Sequence, residues 1–498
     1  MAALGLPVPP AFVLPISLCA ATVNGEPSAA RDLAAALAEG IDFLEKTTGK
    51  RFGDRRRPLL ISVRSGAARS MPGMLDTVLN VGCSLPAVHG LVRMTGHPRF
   101  ASDCRRRFLE SYGSVVLGVG RGEFAKARDE RIAAEHVDGE AALDCDAIEH
   151  LTAAYEHVIE EDGQALSDDP MEHLTSAAQA VFRSWMSERA RTYRRLQHLE
   201  DLQGTAVTVQ AMVFGNTGAS SGAGVAFSRD PSTGAATPVI DVLFDSQGED
   251  VVSGDHNPET EEALARALPQ AANDLRAALH RLEDDFADVQ DVEFTIEDGK
   301  LWMLQTRAAK RTPRAALRLA IDFVKEGRIT AAEGLSRLDG VDLRALVNNR
   351  LVIAVAPIGH GTRASSGIAV GRAAFDSDSA SRFAVDGEPL ILVRPETTTA
   401  DVAGFATAAG IVTAVGGRTA HAALVARQMG KPCIVGCTAL SVEAAARTAQ
   451  LAGTTICEGD WLSIDGEAGA IYLGRGEILT ERPEAELAEI ERWRAVAA

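Results

Sequence analysis

At 498 residues the chain is too long for one ordinary core, so about two to four domains are expected. Its 46% hydrophobic and 24% charged residues are those of a folded globular protein and exclude a disordered one. Fifty basic against 68 acidic residues give a net charge of −18, which argues against nucleic-acid binding, because phosphate backbones demand clustered Lys and Arg. The runs Arg55-Arg56-Arg57 and Arg105-Arg106-Arg107 depart from that balance and are read as solvated faces.

The seven cysteines stand at 19, 83, 104, 145, 433, 437 and 457, without a CxxC or Cys/His metal spacing. They are expected to be reduced, buried thiols of a cytoplasmic protein. The first twenty residues are apolar but lack a basic start, and Pro7, Pro9, Pro10 and Pro15 break them, so neither a signal peptide nor an anchor is expected. No apolar run is long enough to span a bilayer.

In chain order, Leu59 to Val63 reads as a strand and is followed by a stretch rich in Gly, Ser and Met, including Met71-Pro72-Gly73-Met74. Residues 100 to 200 read as helices, among them Asp146 to Asp162 and Pro170 to Leu199. From Thr205 the period changes to two, which predicts a strand, and a second strand is expected over Gly224 to Ser228. Residues 291 to 307 predict a hairpin with Asp298-Gly299 as its turn. Two helices fill 314 to 347, a β-rich and Gly-rich region runs from Leu351 to about Leu473, and a charged helix closes the chain from Arg482 to Ala497.

The hairpin carries the first candidate chemistry. Alternation along Asp291-Val292-Glu293-Phe294-Thr295-Ile296-Glu297 puts Asp291, Glu293 and Glu297 on one face and the apolar residues on the other. Two carboxylates at i and i+2 suit Mg²⁺, which takes a few hard oxygen ligands and fills the rest from phosphates and water. Gln305 and Arg307 share a face of the return strand, where Arg307 has the fork to hold a phosphate oxygen. Alone, this pattern reads first as an amphipathic edge hairpin with a solvated polar face. Three other segments turn it toward phosphate chemistry: Ser62-Val63-Arg64-Ser65-Gly66, with an Arg at the end of a strand, the Met71 to Met74 loop, and Gln247-Gly248-Glu249-Asp250.

The most informative stretch is Gly416-Gly417-Arg418-Thr419-Ala420-His421, followed by a helical run to Met429 that Gly430 and Pro432 stop. Thr419 is a good N-cap, so His421 falls in the first turn of the helix. There the helix dipole disfavours imidazolium and stabilises an attached anion. A neutral imidazole is a nucleophile, and phosphohistidine formation needs one. The other ten histidines are read as structural or surface residues.

At this point the residues resemble the pyruvate, phosphate dikinase family, with phosphoenolpyruvate synthase a more distant relative. PLLISVRSGAARSMPGMLDTVLN, TAVTVQAMVFGN, SGAGVAFSRDPSTG, SQGEDVVSG, QDVEFTIEDGKLWMLQTR and GGRTAHAALVARQMGKPCIVG are similar to that family's motifs in order, over nearly the whole chain. The resemblance implies an α/β multidomain fold. An ATP-grasp nucleotide-binding domain over 1–312 would carry a helical insertion at about 85–200. A helical linker over 313–350, a small swivelling phosphohistidine α/β domain over 351–475 and a C-terminal helix over 476–498 would follow. It further implies that Arg64, Gly73, Glu249, Asp291, Glu293, Gln305 and Arg307 contact ATP or its Mg²⁺, with Asp291 and Glu293 as the metal ligands. Gln210 and Met212, on the strand from Val209, would line the adenine. His421, with Thr419 and Arg307 as further catalytic residues, would take the β,γ-pyrophosphoryl group of ATP, pass the γ-phosphate to inorganic phosphate and keep the β-phosphate.

The family's opening strand with its Gly-Gly-Lys loop and its C-terminal phosphoenolpyruvate/pyruvate-binding (β/α)₈ barrel have no counterpart in these residues. Two expectations stay open. One is an ATP-dependent phosphotransferase that hands phosphate from His421 to an acceptor, in the family pyruvate, on a separate barrel protein. The other is a non-catalytic paralogue with a nucleotide-binding or regulatory role. The expected partners are ATP, phosphate, the barrel protein and a second copy in a homodimer, with neither nucleic acid nor membrane.

Overall fold

Alternating apolar residues in Thr205 to Met212 and in the 291–307 hairpin build two separate antiparallel sheets. The computed structural model describes residues 1–66, 71, 74–196, 199–253, 256–385, 387–396, 402–418 and 421–497. Contacts divide the chain into two units, Pro9–Val213 in one and Met1–Val8 with Phe214–Ala498 in the other.

In the first unit, four antiparallel strands lie in the order Ala11–Leu14, Ala206–Ala211, Ile61–Gly66, Thr77–Val81. Val207, Val209 and Val63 are fully buried, as a period of two requires when one face meets a core. The helix Pro170–Ser184 packs against Ile61–Gly66 and Thr77–Val81. The helix expected over Pro170 to Leu199 is two helices, Pro170–Ser184 and Glu188–Leu196. Trp185 is buried at the break, and the carbonyl of Trp185 accepts a hydrogen bond from Arg194 Nη1 at 2.8 Å, so tertiary packing overrides helical pattern there.

The reading of Arg105-Arg106-Arg107 as a solvated face is corrected: Arg105 and Arg106 are buried. Arg106 pairs with Asp103 at 2.8 Å and Glu110 at 3.0 Å, Arg107 reaches Asp103 at 2.8 Å, and Arg105 pairs with Glu156 of the facing helix Cys145–Glu161 at 2.8 Å. Triplets of like charge are cheap only beside acids, and helical spacing puts Asp103 and Glu110 on the same turns.

In the second unit, five antiparallel strands run Lys300–Ala308, Gln290–Glu297, Gly222–Phe227, Val239–Phe244, Glu259–Thr260. Val292, Phe294 and Ile296 bury one face of this sheet against Leu275, Leu279 and Leu282 of the helix Pro269–Phe286. Farther on, an eight-stranded sheet contains a parallel run, Ile368–Ala374, Leu390–Arg394, Gly410–Thr413 and Cys433–Val435. Five of the seven cysteines are buried and all are free; Cys457 is exposed. No helix among the described residues is long and apolar enough to cross a membrane.

Within the segment expected as a linker, the helix Pro313–Lys325 is buried on two sides. Ala315, Leu319 and Phe323 pack with Phe227 and Val239, while Leu317 and Ile321 pack with Ile490 and Trp493 of the terminal helix Glu484–Ala497. Arg344 and Arg350, farther along, are exposed. Limited trypsin digestion is therefore expected to cut at Arg344 or Arg350 before Arg314 or Arg318; early cleavage inside Pro313–Lys325 would contradict this packing.

Burial opposes the charge of Asp103, but the Arg107 and Arg106 guanidinium groups overcome it and hold the carboxyl well below the usual range. Asp103→Asn leaves these buried cations without their acceptor and is expected to cost about 3–5 kcal/mol in urea unfolding at neutral pH. A depressed carboxyl stabilises fully above its unfolded value of about 3.9 and loses that contribution as pH falls through the lower folded value. The gap between wild type and variant should therefore hold at pH 5 and narrow only well below about pH 4.

Candidate functional site

The Asp298-Gly299 turn has φ +50° and +78°, the left-handed pair that a tight two-residue hairpin requires. It fixes the register: Asp291 lies opposite Arg307 and Glu293 opposite Gln305. On the other side of the strand Asp291 lies opposite Phe227 and Glu293 opposite Val225, which in turn pairs with Asp241. One face of the sheet thus carries the rows Arg307–Asp291–Phe227 and Gln305–Glu293–Val225–Asp241, while the other face is the core. A register shift after Glu293 breaks the pairing, and beyond it Glu297 accepts the backbone N–H of Phe214 at 3.1 Å. Val251 of the short helix Gly248–Ser253 packs on Val225, so the element carrying the exposed Glu249 lies over this same face.

Asp291 is 3% exposed, and its Oδ2 accepts a hydrogen bond from Arg307 Nε at 2.8 Å. Its Oδ1 has no hydrogen-bond partner among the described residues. Burial raises the Asp291 carboxyl above its ordinary value, with the Arg307 guanidinium pulling the other way. Burial likewise weakens the Arg307 charge, but the Asp291 and Glu293 carboxylates more than offset it. A buried carboxylate oxygen without a donor is a fit for a cation. Among the described residues no group of three or more His, Cys, Asp or Glu is placed to hold a metal. A pair of carboxylates is the kind of donor set Mg²⁺ takes, since it needs few protein ligands and fills the rest from phosphates and water.

The histidine loop meets the same face. After the strand Gly410–Thr413 the chain turns at Gly416, φ +114°, and the helix His421–Gln428 carries the expected histidine as its first described residue. Gly416 N–H donates to Asn257 Oδ1 at 3.1 Å and Arg418 N–H to Asp241 Oδ2 at 2.6 Å. A Cβ at Gly417 would stand 2.4 Å from Pro258 Cγ and 2.9 Å from Asp241 Oδ2, so only glycine permits this approach. Asp241 is 3% exposed; burial raises its carboxyl, and Arg418 counters that. The helix stops as expected at Gly430, φ +64°, with Lys431 N–H donating to the Ala426 carbonyl at 2.9 Å. Thr419 and Gly73 lie outside the described residues.

The remaining expected residues belong to the other unit. Arg64 pairs across the sheet with Thr208, and Ser62 with Gln210, so Arg64 and Gln210 share the face opposite Val207 and Val209. Gln210 is buried and donates through Nε2 to the Pro9 carbonyl at 3.2 Å, while Met212 follows the strand half-buried. Asp241, Asn257 and Arg427 were not singled out by sequence reasoning. Asp241 does carry a signal, as the lone charge in the apolar strand Val239-Ile240-Asp241-Val242-Leu243. Nothing local marks Asn257.

A family model described as pyruvate phosphate dikinase, AMP/ATP-binding domain, matches residues 28–269 and 258–327, and one described as PEP-utilising enzyme, mobile domain, matches 386–469. The chain belongs to the pyruvate, phosphate dikinase family. It is 42% identical over 487 residues to pyruvate, phosphate dikinase of Clostridium symbiosum, covering 97% of this chain and 56% of that protein. It is also 41% identical over 508 residues to that of Rhizobium meliloti (strain 1021), covering 99% and 57%, and 38% identical over 498 residues to pyruvate, phosphate dikinase 2 of Zea mays, covering 99% and 56%. The chain thus spans little more than half the length of these relatives. Its fold is a nucleotide-binding part of ATP-grasp type followed by a mobile domain.

Arg307→Gln removes the charged partner of a buried carboxylate and is expected to cost about 1.5–3 kcal/mol in thermal or urea unfolding at neutral pH. Because the folded Asp291 carboxyl is raised, its charge is unfavourable above that value and the penalty fades as the carboxyl takes up a proton. The deficit of the variant should therefore shrink as pH falls through the Asp291 titration; a deficit that grows on acidification would count against this account.

Proposed function

We propose that this chain is the ATP-dependent part of a pyruvate, phosphate dikinase, phosphorylated on His421 at the expense of ATP. The observation that carries the reading is the docking of the Gly416–Arg418 loop, through Asp241 and Asn257, on the sheet face that bears Asp291, Glu293, Gln305 and Arg307. An aromatic or apolar face would suit a structural sheet; four polar side chains in two adjacent rows suit a polyphosphate.

The His421 imidazole nitrogen attacks the β-phosphorus of ATP, the bond from that phosphorus to the α-phosphate oxygen breaks, and AMP leaves. Inorganic phosphate then attacks the γ-phosphorus, pyrophosphate leaves, and one phosphoryl group stays on the imidazole. Transfer of this kind is governed by positioning and charge. Asp291 and Glu293 would hold Mg²⁺, which supplies positive charge to the phosphate oxygens. Arg307, tied to Asp291 through Nε, presents the rest of its fork to the phosphates. Arg64, Gly73, Glu249 and Gln305 take further polar contacts to the nucleotide, with Gln210 and Met212 toward the adenine. In the first turn of its helix His421 lies where backbone N–H groups receive an anion, and Thr419 is read as a further catalytic residue beside it. The phosphoryl group passes on to pyruvate, on a separate barrel protein in our reading. The enzyme is placed in the cytoplasm as a homodimer.

Intact-mass spectrometry after incubation with ATP, Mg²⁺ and phosphate is expected to show an acid-labile adduct of one phosphoryl group, absent in His421→Ala. A folded wild-type chain that gains no such mass would overturn the catalytic reading.

A further inference from the structure

Arg427 stands six residues beyond His421 on the same helix and is 1% exposed, among the largest fully buried side chains of the protein. Its Nη2 donates to the Arg418 carbonyl at 2.6 Å. A residue late in the helix therefore straps down the loop that leads into it, and the N–H of that same Arg418 is the one Asp241 accepts. The guanidinium carbon sits 5.0 Å from the centroid of the Phe227 ring, and Phe227 is the cross-strand neighbour of Asp291.

The charge balance is unusual for a buried cation. Among the described residues Arg427 makes no ion pair, and its Nε has no hydrogen-bond partner. Burial lowers its affinity for the proton, and the carboxylates that resist this are Asp291, Asp241 and Asp230, all from the nucleotide-binding part. From its own domain the Cys433 sulfur is the contributor of comparable weight, and burial keeps that thiol protonated. A buried charge balanced chiefly across an interface is stable mainly while the interface is closed. The ring face of Phe227 adds a favourable seat for the guanidinium on that same side.

We propose that Arg427 is a positioning residue for phosphoryl transfer to His421, coupling the shape of the histidine loop to its docking on the Asp241–Asp291 face. The inference rests on the phosphotransfer reading above. Arg427 touches neither substrate nor reacting atom in this scheme; it acts through the Arg418 carbonyl and the Phe227 ring. A residue that served packing alone would be replaceable by an apolar side chain of similar length.

The test compares wild type, Arg427→Met and Arg427→Lys in the full chain. Three quantities are read: the rate of acid-labile labelling from ATP with Mg²⁺ and phosphate, the affinity for a non-hydrolysable ATP analogue with Mg²⁺, and the melting temperature. Displacing a reacting group by about 1 Å slows transfer by roughly 10²-fold, so Arg427→Met is expected to label roughly 10–100-fold more slowly. Its nucleotide affinity should stay within about twofold of wild type, and Arg427→Lys, which keeps the charge, should label at an intermediate rate. Labelling of Arg427→Met at the wild-type rate overturns the proposal. So does a loss of nucleotide affinity or of folding that accounts for the slowing, or a Lys variant no faster than the Met variant. If wild type itself takes no label while folded and binding the analogue, the phosphotransfer reading fails first and this proposal falls with it.

Discussion

A sheet can present a row of charged side chains on one face only if the opposite face is buried well enough to hold the strands in register. In the five-stranded sheet that task falls to Val292, Phe294 and Ile296, packed with Ala226, Ile240 and Val242 against the helix Pro269–Phe286. Removing a large apolar side chain from such a core costs about 2–5 kcal/mol. A slip of one residue would send Asp291 and Glu293 into that core and expose Phe294, which the same energy forbids. The chemistry of the polar face is thus specified by residues that never touch it. The Asp298-Gly299 turn completes the constraint, since both its left-handed residues are needed to close the hairpin at this register.

Given that frame, the charges on the face are arranged in different degrees of compensation. Asp291 has one oxygen satisfied by Arg307 and one with no donor among the described residues. Asp241 accepts a backbone N–H and has the Arg418 guanidinium farther off, at 3.9 Å. The Asp103–Arg106 cluster shows what a purely structural solution looks like: Arg106 is ion-paired to Asp103, Glu110 and Glu140. Leaving a buried carboxylate half-satisfied costs free energy that stability alone gives no reason to retain. That contrast is the physical reason to read the hairpin face as a site.

The parts of this site that were legible in the sequence are those set by local rules. Strand alternation gives the shared face of Asp291 and Glu293, Asp-Gly gives the turn, and paired glycines before a small-residue run give a helix with His421 in its first turn. What escaped are contacts between segments far apart in sequence. Asp241 and Arg418 are 177 residues apart, and Gly416 and Asn257 are 159 apart. Arg427 looks like any solvent-facing arginine on a helix until the Phe227 ring is laid over it. Arg105 to Arg107 failed for the same reason: a basic triplet says nothing about which acids its neighbouring helices bring. The break at Trp185 likewise depends on burial of that ring, which helical periodicity does not register.

The way the histidine loop is attached also bears on whether it can leave. The apolar clusters of the mobile domain draw only on residues between Ile358 and Leu473, and the main cluster under the carboxylate face draws only on residues up to Met303. Hydrogen bonds that cross between them among the described residues include Arg418 to Asp241, Gly416 to Asn257, Ser232 Oγ to the Ala364 carbonyl at 3.2 Å, and Ser366 Oγ to the Ser232 carbonyl at 2.9 Å. Each such hydrogen bond contributes a net of about 0.5–1.5 kcal/mol, because water replaces it when the partners separate. The strands Asn348–Val352 and Glu477–Glu481, through which the chain enters and leaves this domain, form a two-stranded sheet of their own among the described residues. Arg427 is the exception among these contacts, since water cannot restore its balance without first reaching a fully buried charge.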